Sequence, residues 1–254
     1  MGTYNDEAVV LRTHRLGEAD RIITVLTRRH GKLRGVAKGV RRTSSKFGAR
    51  LEPFAQVDLQ ITETRSLGIF TSVVSKNLFG KDLLDDYTRY TAAEVMVEIA
   101  DKMVVEEGVP AVQHYLLLVG ALKALTQGTT DGVRSSMVIM DSYVLRAASL
   151  AGYAPQLECC AVCGAAGPHS WFHPGSGGIT CYRCHPNDAI SITSAVLAYL
   201  VALLTGDWPA TRLVESAVIT QASGLVRTYL DWHLERSIKS YDHFVRQGHL
   251  ATGK

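Results

Sequence analysis

Through the first eighty positions, apolar residues come in short runs. After about Lys81 they recur at helical spacing. The early runs are Ala8–Thr13 (AVVLRT), which is rich in β-branched residues, then Arg21–Thr27 (RIITVLT), Lys32–Lys38, Phe54–Ile61 (FAQVDLQI) and Gly68–Val74 (GIFTSVV). Gly17, Gly31, Gly39, Gly48 and the Arg65-Ser66 pair separate them, so they predict five strands with turns between. Five short strands with no helical periodicity among them fit a small barrel, and an OB-fold is the natural candidate. Closure also removes free sheet edges, which suits strands this apolar.

Further along, Val95, Ile99 and Met103 fall four residues apart in a stretch predicted helical from Asp85 to Glu106. Pro110 can open a second helix over Ala111–Thr126. Asp131 is the expected cap of a third that ends near Ala151 and Gly152. Residues 153–188 lose periodicity and become rich in Cys, Gly, Pro and His. Helices are expected again over Thr193–Leu204, capped by Ser191 or Thr193, and from Thr211 to about Val245, with a possible break at Gly224. The longest nearly apolar run, Ala195–Leu204, is well short of the roughly 20 residues that span a membrane, so no membrane association is expected. Met1–Val10 has no basic segment ahead of an apolar one, so no signal peptide is expected and the compartment is read as cytoplasmic.

Hydrophobic residues make up 46% of the 254 and charged residues 20%, enough to build a core without metal or disulfides in its place. Charge changes the picture more. Residues 1–80 carry 14 Lys/Arg against 7 Asp/Glu, whereas residues 81–254 carry 13 against 17. Between Arg12 and Arg50 there are 12 basic residues and two acidic ones, Glu18 and Asp20. Charge concentrated on one module points to a polyanionic partner rather than a merely solvated surface. Along Lys32–Lys38 the alternation puts Lys32, Arg34 and Lys38 on one face and Leu33, Gly35 and Ala37 on the barrel side. The following loop adds Arg41, Arg42, Lys46 and Arg50. These seven are the candidate DNA contacts, directed at phosphates rather than base edges. Phe47, inside the loop, either stacks on a base or packs down as an anchor, and anchoring is the favoured reading. Arg12, Arg15, Arg28 and Arg29 are weaker candidates, free to pair with Glu18 or Asp20.

All five cysteines lie between residues 159 and 184. Cys160-x2-Cys163 and Cys181-x2-Cys184, separated by 17 residues, have the spacing of a four-thiolate zinc site. Each tight turn brings two sulfurs to one side of an ion, and two turns complete a tetrahedron. Four thiolates leave no open position, so one structural zinc is expected. Disulfides do not suit a reducing cytoplasm, and neither CxxC follows a strand of a βαβ unit, as a redox motif would. Cys159 is the spare thiol. His173 and His185 are weaker ligands than the four sulfurs.

An enzyme is disfavoured. The chain has no phosphate-binding loop of the G-x-x-x-x-G-K-[ST] type, no H-E-x-x-H and no G-x-S-x-G. No catalytic residue is assigned. Asp85-Asp86 and Glu106-Glu107 read as solvated helix ends. The alternative is a zinc-ribbon DNA-binding regulatory protein, but residues 153–188 contain Arg183 and no Lys.

The run EAVVLRTHRLGEADRIITVLTRRHGKLRGVAKGVRR resembles the opening of bacterial RecO proteins. SKFGARLEPF, LECCAVCG, CYRC and the C-terminal YLDWHLERSIKSYDHF are similar to later parts of the same family, in order. The resemblance implies an α+β multidomain chain. An OB-fold DNA-binding domain (1–80) would precede a helical domain in two parts (81–152 and 189–254), with a zinc-binding segment (153–188) inserted between them. It further implies binding of single- and double-stranded DNA, strand annealing without ATP, and work with RecR. With RecR, such proteins load RecA onto DNA coated by single-strand-binding protein, in the cytoplasm at the nucleoid. Because some family members lack the cysteines, it also implies that the metal is scaffold. The acidic, apolar-ended tail of single-strand-binding protein is expected in a groove between Ala111–Thr126 and Arg134–Leu150, with Lys123, Arg134 and Arg146 on its rim.

Overall fold

The computed structural model describes residues 2–65, 67–234, 238–241 and 243–244. The chain forms two compact units. One runs from the N-terminus to Gln127 and includes the described residues from Ser240 onward; the other runs from Gly128 to Lys239. The change from strands to helices falls near residue 80, as the periodicity predicts, yet the first helices pack in the same unit as the strands.

Five strands begin the chain: β1 (Thr3–Leu16), β2 (Asp20–Thr27), β3 (Gly31–Ala37), β4 (Ala55–Thr62) and β5 (Gly68–Leu78). β1 pairs antiparallel with β2 on one side and β4 on the other, and β3 meets β5 in parallel at Gly35–Gly68, so the sheet closes in the order β1-β2-β3-β5-β4. This is the connectivity of an OB-fold. A register shift between Val10 and Arg12 bends β1 so that it can serve both neighbours. Val10, Ile23, Val25, Val57, Leu59 and Phe70 fill the interior. Gly35 makes room for the Phe70 ring: a Cβ there would stand 2.6 Å from its Cζ.

Helices α1 (Phe79–Leu83), α2 (Tyr87–Met103) and α3 (Val112–Gln127) complete the first unit. Asp86 caps α2 by accepting from the Arg89 N–H. Val95, Ile99 and Met103 are all buried. The helix ends at Met103 rather than Glu106, and the chain then returns along β3. The Gly108 N–H donates to the Lys32 carbonyl at 3.0 Å, and Gly31, at φ 66°, lets the Val109 carbonyl approach to 1.7 Å from where a Cβ would be.

The second unit holds α4 (Ser136–Leu150), three short strands β6 (Trp171–His173), β7 (Gly178–Thr180) and β8 (Ile190–Ser191), then α5 (Ser194–Thr205) and α6 (Ser216–His233). The cap of α4 is Ser135, not Asp131, which instead pairs with Arg134 and Arg212. Thr193 caps α5. The last helix starts at Ser216, because Pro209–Thr211 form a 3-10 turn, and it passes Gly224 unbroken. The end expected near Val245 lies outside the described residues. The zinc-spaced segment leans on α6: Phe172 meets Tyr229 at 5.9 Å between rings and His173 meets Trp232 at 6.1 Å.

Asp6 fastens the β2–β3 turn to β1. Its side chain is 1% exposed, accepts from the Arg29 and His30 N–H groups, and lies 2.6 Å from His30 Nδ1. Burial would raise its pKa, but the His30 contact and the N–H groups of Arg29 and Glu7 outweigh burial and hold it below the usual carboxylate value. A lowered folded-state pKa stabilises the fold at pH above the unfolded value of about 3.9, and that contribution is lost as pH falls through the lower folded value. Hydrogen-exchange protection at Arg29 and His30, taken relative to the intrinsic rate at each pH, should therefore fall on acidification through that range. In Asp6→Asn it should be low already at neutral pH. Separately, Gly31→Ala should lower unfolding free energy by more than about 2 kcal/mol in urea, combining strain and a backbone clash. Gly17→Ala, also at positive φ but with nothing nearby, should cost only about 1 kcal/mol.

Candidate metal centre and nucleic-acid interface

Two knuckles bring four sulfurs together. In the first, the Gly164 N–H bonds to the Cys160 carbonyl at 2.8 Å, with Gly164 at φ 73° turning the chain back. In the second, the N–H groups of Cys184 and His185 both reach the Cys181 carbonyl at 3.0 Å. The Cys181 N–H points at Cys160 Sγ, 3.3 Å away, and joins the two turns. The knuckles are held in register by Gly178, where a Cβ would stand 2.1 Å from the Gln156 carbonyl oxygen.

The sulfurs of Cys160, Cys163, Cys181 and Cys184 all lie within 4.8 Å of one another, and Cys163 and Cys181 are 3.8 Å apart. A tetrahedral ion with metal–sulfur bonds of about 2.3 Å requires sulfurs roughly 3.8 Å apart, so the four cysteines are positioned to hold a metal ion and the donor set suits zinc. Burial pushes the Cys160 thiol up, but the N–H groups of Cys163, Cys181 and Val162 outweigh burial and bring it down to about 6. Cys184, beside the sulfurs of Cys181 and Cys163, is pushed up to about 12. That crowding of thiolates is what a divalent cation relieves. Cys159 stands outside the cluster, paired strand-like with Ala166. His173 is committed to Ser176 and Asp188, and His185 stacks on Trp171 at 4.5 Å.

The basic module divides in two. Lys32 and Arg34, expected at the DNA, are taken by carboxylates that sequence reading did not connect to them. The Lys32 ammonium, 12% exposed, lies 3.4 Å from Asp101 and donates to the Asp101 carbonyl, and Arg34 pairs with Glu107 at 2.6 Å. Glu107 is thus no idle helix end: the segment returning from α2 lays it on β3. Arg12 pairs with Asp101, Arg28 with Glu7 and Arg29 with Asp6, none with Glu18 or Asp20. Asp20 accepts from the Gly39 N–H instead.

Lys38, Arg41, Arg42, Lys46 and Arg50 are exposed, and among the described residues none pairs with a carboxylate. Their loop is pinned rather than loose. Val40, Phe47 and Leu51 are buried in the barrel core, the Arg41 guanidinium reaches the Glu18 carbonyl at 2.9 Å, and the Lys46 ammonium reaches the Thr71 carbonyl at 2.8 Å. Phe47, 2% exposed, has no face left for a base. Anchoring, not stacking, is its role.

Of the three cations expected to rim a site for a partner's tail, Arg134 and Arg146 have defined neighbours. Lys123 and Arg134 belong to different compact units. Arg134, its side chain 8% exposed, is spent on Asp131, Thr211 and the Trp208 carbonyl. Arg146 runs beside Gly206 at the end of α5. Leu118, Leu122 and Leu125 of α3 and Val144, Leu145 and Ala148 of α4 are buried, whereas Val112 and Leu116 of α3 are exposed.

The fold and site define an OB-barrel protein with a helical body and a four-thiol metal centre. Family models described as "Recombination protein O N terminal" and "Recombination protein O C terminal" match residues 1–79 and 84–242. The chain is 50% identical over 240 residues to the DNA repair protein RecO of Cutibacterium acnes (strain DSM 16379 / KPA171202), covering 94% of this chain and 98% of that one. It is 50% identical over 246 residues to the DNA repair protein RecO of Nocardioides sp. (strain ATCC BAA-499 / JS614), covering 96% and 99%. The chain belongs to the RecO family of DNA repair and recombination proteins. Among the described residues, no helix is long and apolar enough to cross a membrane.

About one metal equivalent per chain is expected by elemental analysis. It should persist in Cys159→Ser, be lost in Cys160→Ser, and be released on acidification as protons compete for the thiolates. Removal should raise hydrogen exchange in residues 153–188 far more than in the barrel.

Proposed function

We propose that this chain is a recombination mediator that binds single- and double-stranded DNA through the exposed loop of its barrel and anneals complementary strands without ATP. With RecR it would help load RecA onto DNA coated by single-strand-binding protein. The observation that carries the DNA reading is the split among its cations: five of the seven candidates face water without a carboxylate partner. An unpaired guanidinium or ammonium has its full charge available to displace counterions from a phosphate backbone, and that term is independent of sequence. Annealing must work on any sequence and so favours such contacts.

On this reading residues 1–80 are the DNA-binding domain. The metal is one structural zinc, held by Cys160, Cys163, Cys181 and Cys184, that orders residues 153–188 within the helical part. Four thiolates saturate a tetrahedral ion, so the centre supplies rigidity rather than an open position for substrate. The protein acts by binding rather than by catalysis, at the nucleoid in the cytoplasm. A zinc-ribbon regulator is disfavoured because the free cations lie on the barrel loop, whereas Arg183 is the one Lys/Arg in residues 153–188.

Strand annealing by the purified protein, with metal content measured in parallel, tests the activity. For the interface, each phosphate contact adds about 0.9 to the log–log salt slope on duplex and about 0.7 on single strands. Replacing Arg41 and Arg42 together by Ala should flatten both slopes by roughly two contacts and weaken binding on every sequence. Replacing Lys32 should leave the slope as it is. A slope unchanged in the Arg41/Arg42 variant moves the interface away from the loop.

A further inference from the structure

We propose that the apolar cavity beside the basic loop is a socket for one unstacked nucleobase and makes that part of the barrel selective for single strands, an inference that rests on the DNA-binding reading above. The cavity, of about 260 Å³, is lined among others by Ala49, Glu52, Phe54, Lys81, Leu84 and Tyr90. It falls below the roughly 300–1,000 Å³ of sites for drug-sized ligands, and suits one flat ring system better than a base pair.

Its place in the chain links it to the phosphate-binding candidates. Ala49 and Glu52 belong to the same segment as Lys46 and Arg50, and Lys81 adds an exposed ammonium on another wall. A strand whose phosphates follow the loop would carry its bases past the opening. One wall suits a base: Tyr90 is only half-buried and offers a ring face, while the buried Phe54 ring backs it edge to face at 5.3 Å and 90°. Leu84, 72% exposed, and its neighbour Tyr87, 52% exposed, stand uncovered beside it. At the edge, the Glu52 carboxylate already accepts from Arg21 at 2.6 Å through one oxygen, so the Lys81 ammonium and the second Glu52 oxygen set no fixed pattern, which tolerates any base.

The backbone gives a further sign. Among the described residues Phe54 is the one non-glycine at positive φ, 70°. It is kept there by its N–H bond to the Val10 carbonyl at 3.0 Å, with its ring buried against Tyr90. A bulky residue in that region is strained, and the strained backbone here seats the Phe54 ring behind Tyr90, fixing the wall that a base would meet. In duplex DNA the bases are already stacked and paired, so duplex would use the loop but not the socket.

The test compares three labelled probes by fluorescence anisotropy: a thymidine oligonucleotide, an abasic strand of equal length, and a duplex. Phosphate contacts are common to all, and only the first offers free bases. Wild type should prefer the thymidine strand to the abasic one by about 5- to 150-fold, the range for one stacked base. The double variant Tyr90→Leu, Leu84→Ala, which keeps apolar side chains at both positions, should bind the two strands alike while its duplex affinity and salt slope stay as in wild type. Because the readout is a ratio between two probes on one protein, partial loss of folded protein does not alter it. Equal wild-type binding to thymidine and abasic strands, or a preference retained in the variant, overturns the socket and leaves the loop interface standing. Failure of wild type to bind any of the three overturns the DNA reading and the socket with it.

Discussion

Strand β1 hydrogen-bonds along both of its edges, to β2 and to β4, and the first unit is organised by that double duty. A strand can serve two partners only if it bends, and the register shift at Val10–Arg12 supplies the bend. Closure leaves no free edge, and the apolar faces of all five strands converge on one interior. Space there is short enough that Gly35 must lack a side chain for Phe70 to fit. Once the interior is filled, the outward positions and the long connection from β3 to β4 are left for charge. Val40, Phe47 and Leu51 tie that connection to the core at three points. Its cations are therefore presented from a fixed surface, which reduces the ordering cost of meeting a partner.

The segment that returns from α2 then decides which cations remain available. It runs beside β3 because Gly31 permits close approach of the Val109 carbonyl, and it brings Glu107 onto Arg34. Asp101, on α2, takes Lys32 and Arg12. One part of the basic module is thereby neutralised by its own unit, and the loop of residues 38–50 keeps its charge. The division follows from packing: Asp101 arrives on α2, whose Val95 and Ile99 are buried, and Glu107 on a segment held to β3 by the Gly108 N–H to Lys32 carbonyl bond.

The metal centre relies on a different constraint. Residues 153–188 offer only short strands and a few buried side chains, among them Phe172 and Ile179, to hold a long excursion between helices. Two four-residue knuckles bring four sulfurs together, so that an ion held there would cross-link that excursion locally, while Phe172 and His173 tether it to α6. The helical core of the second unit, built from α4, α5 and α6, has its own apolar packing, including Val144, Leu200 and Leu225. The four-cysteine cluster and the helical core thus lie in different parts of one unit.

The sequence by itself determined what depends on near neighbours. The β-branched runs and their turns specified five strands and the OB-type barrel. Helical spacing specified α2 to α6, although short α1 carries no such signal; the cap of α4 differs because Asp131 is drawn into ion pairs with Arg134 and Arg212, and α6 starts late because Pro209–Thr211 form a 3-10 turn. The spacing of four cysteines determined the metal site, since each knuckle is a contact between residues three apart. The excess of charge on the first module was legible in the same way. Only the tertiary structure decided which of those charges are free, that Phe47 is an anchor, that the rim cations Lys123 and Arg134 fall in different units, and that a cavity stands beside the loop. The physical reason is that Coulombic pairing and burial depend on distance in space: Asp101 and Glu107 are remote from Lys32 and Arg34 along the chain and adjacent to them in the fold.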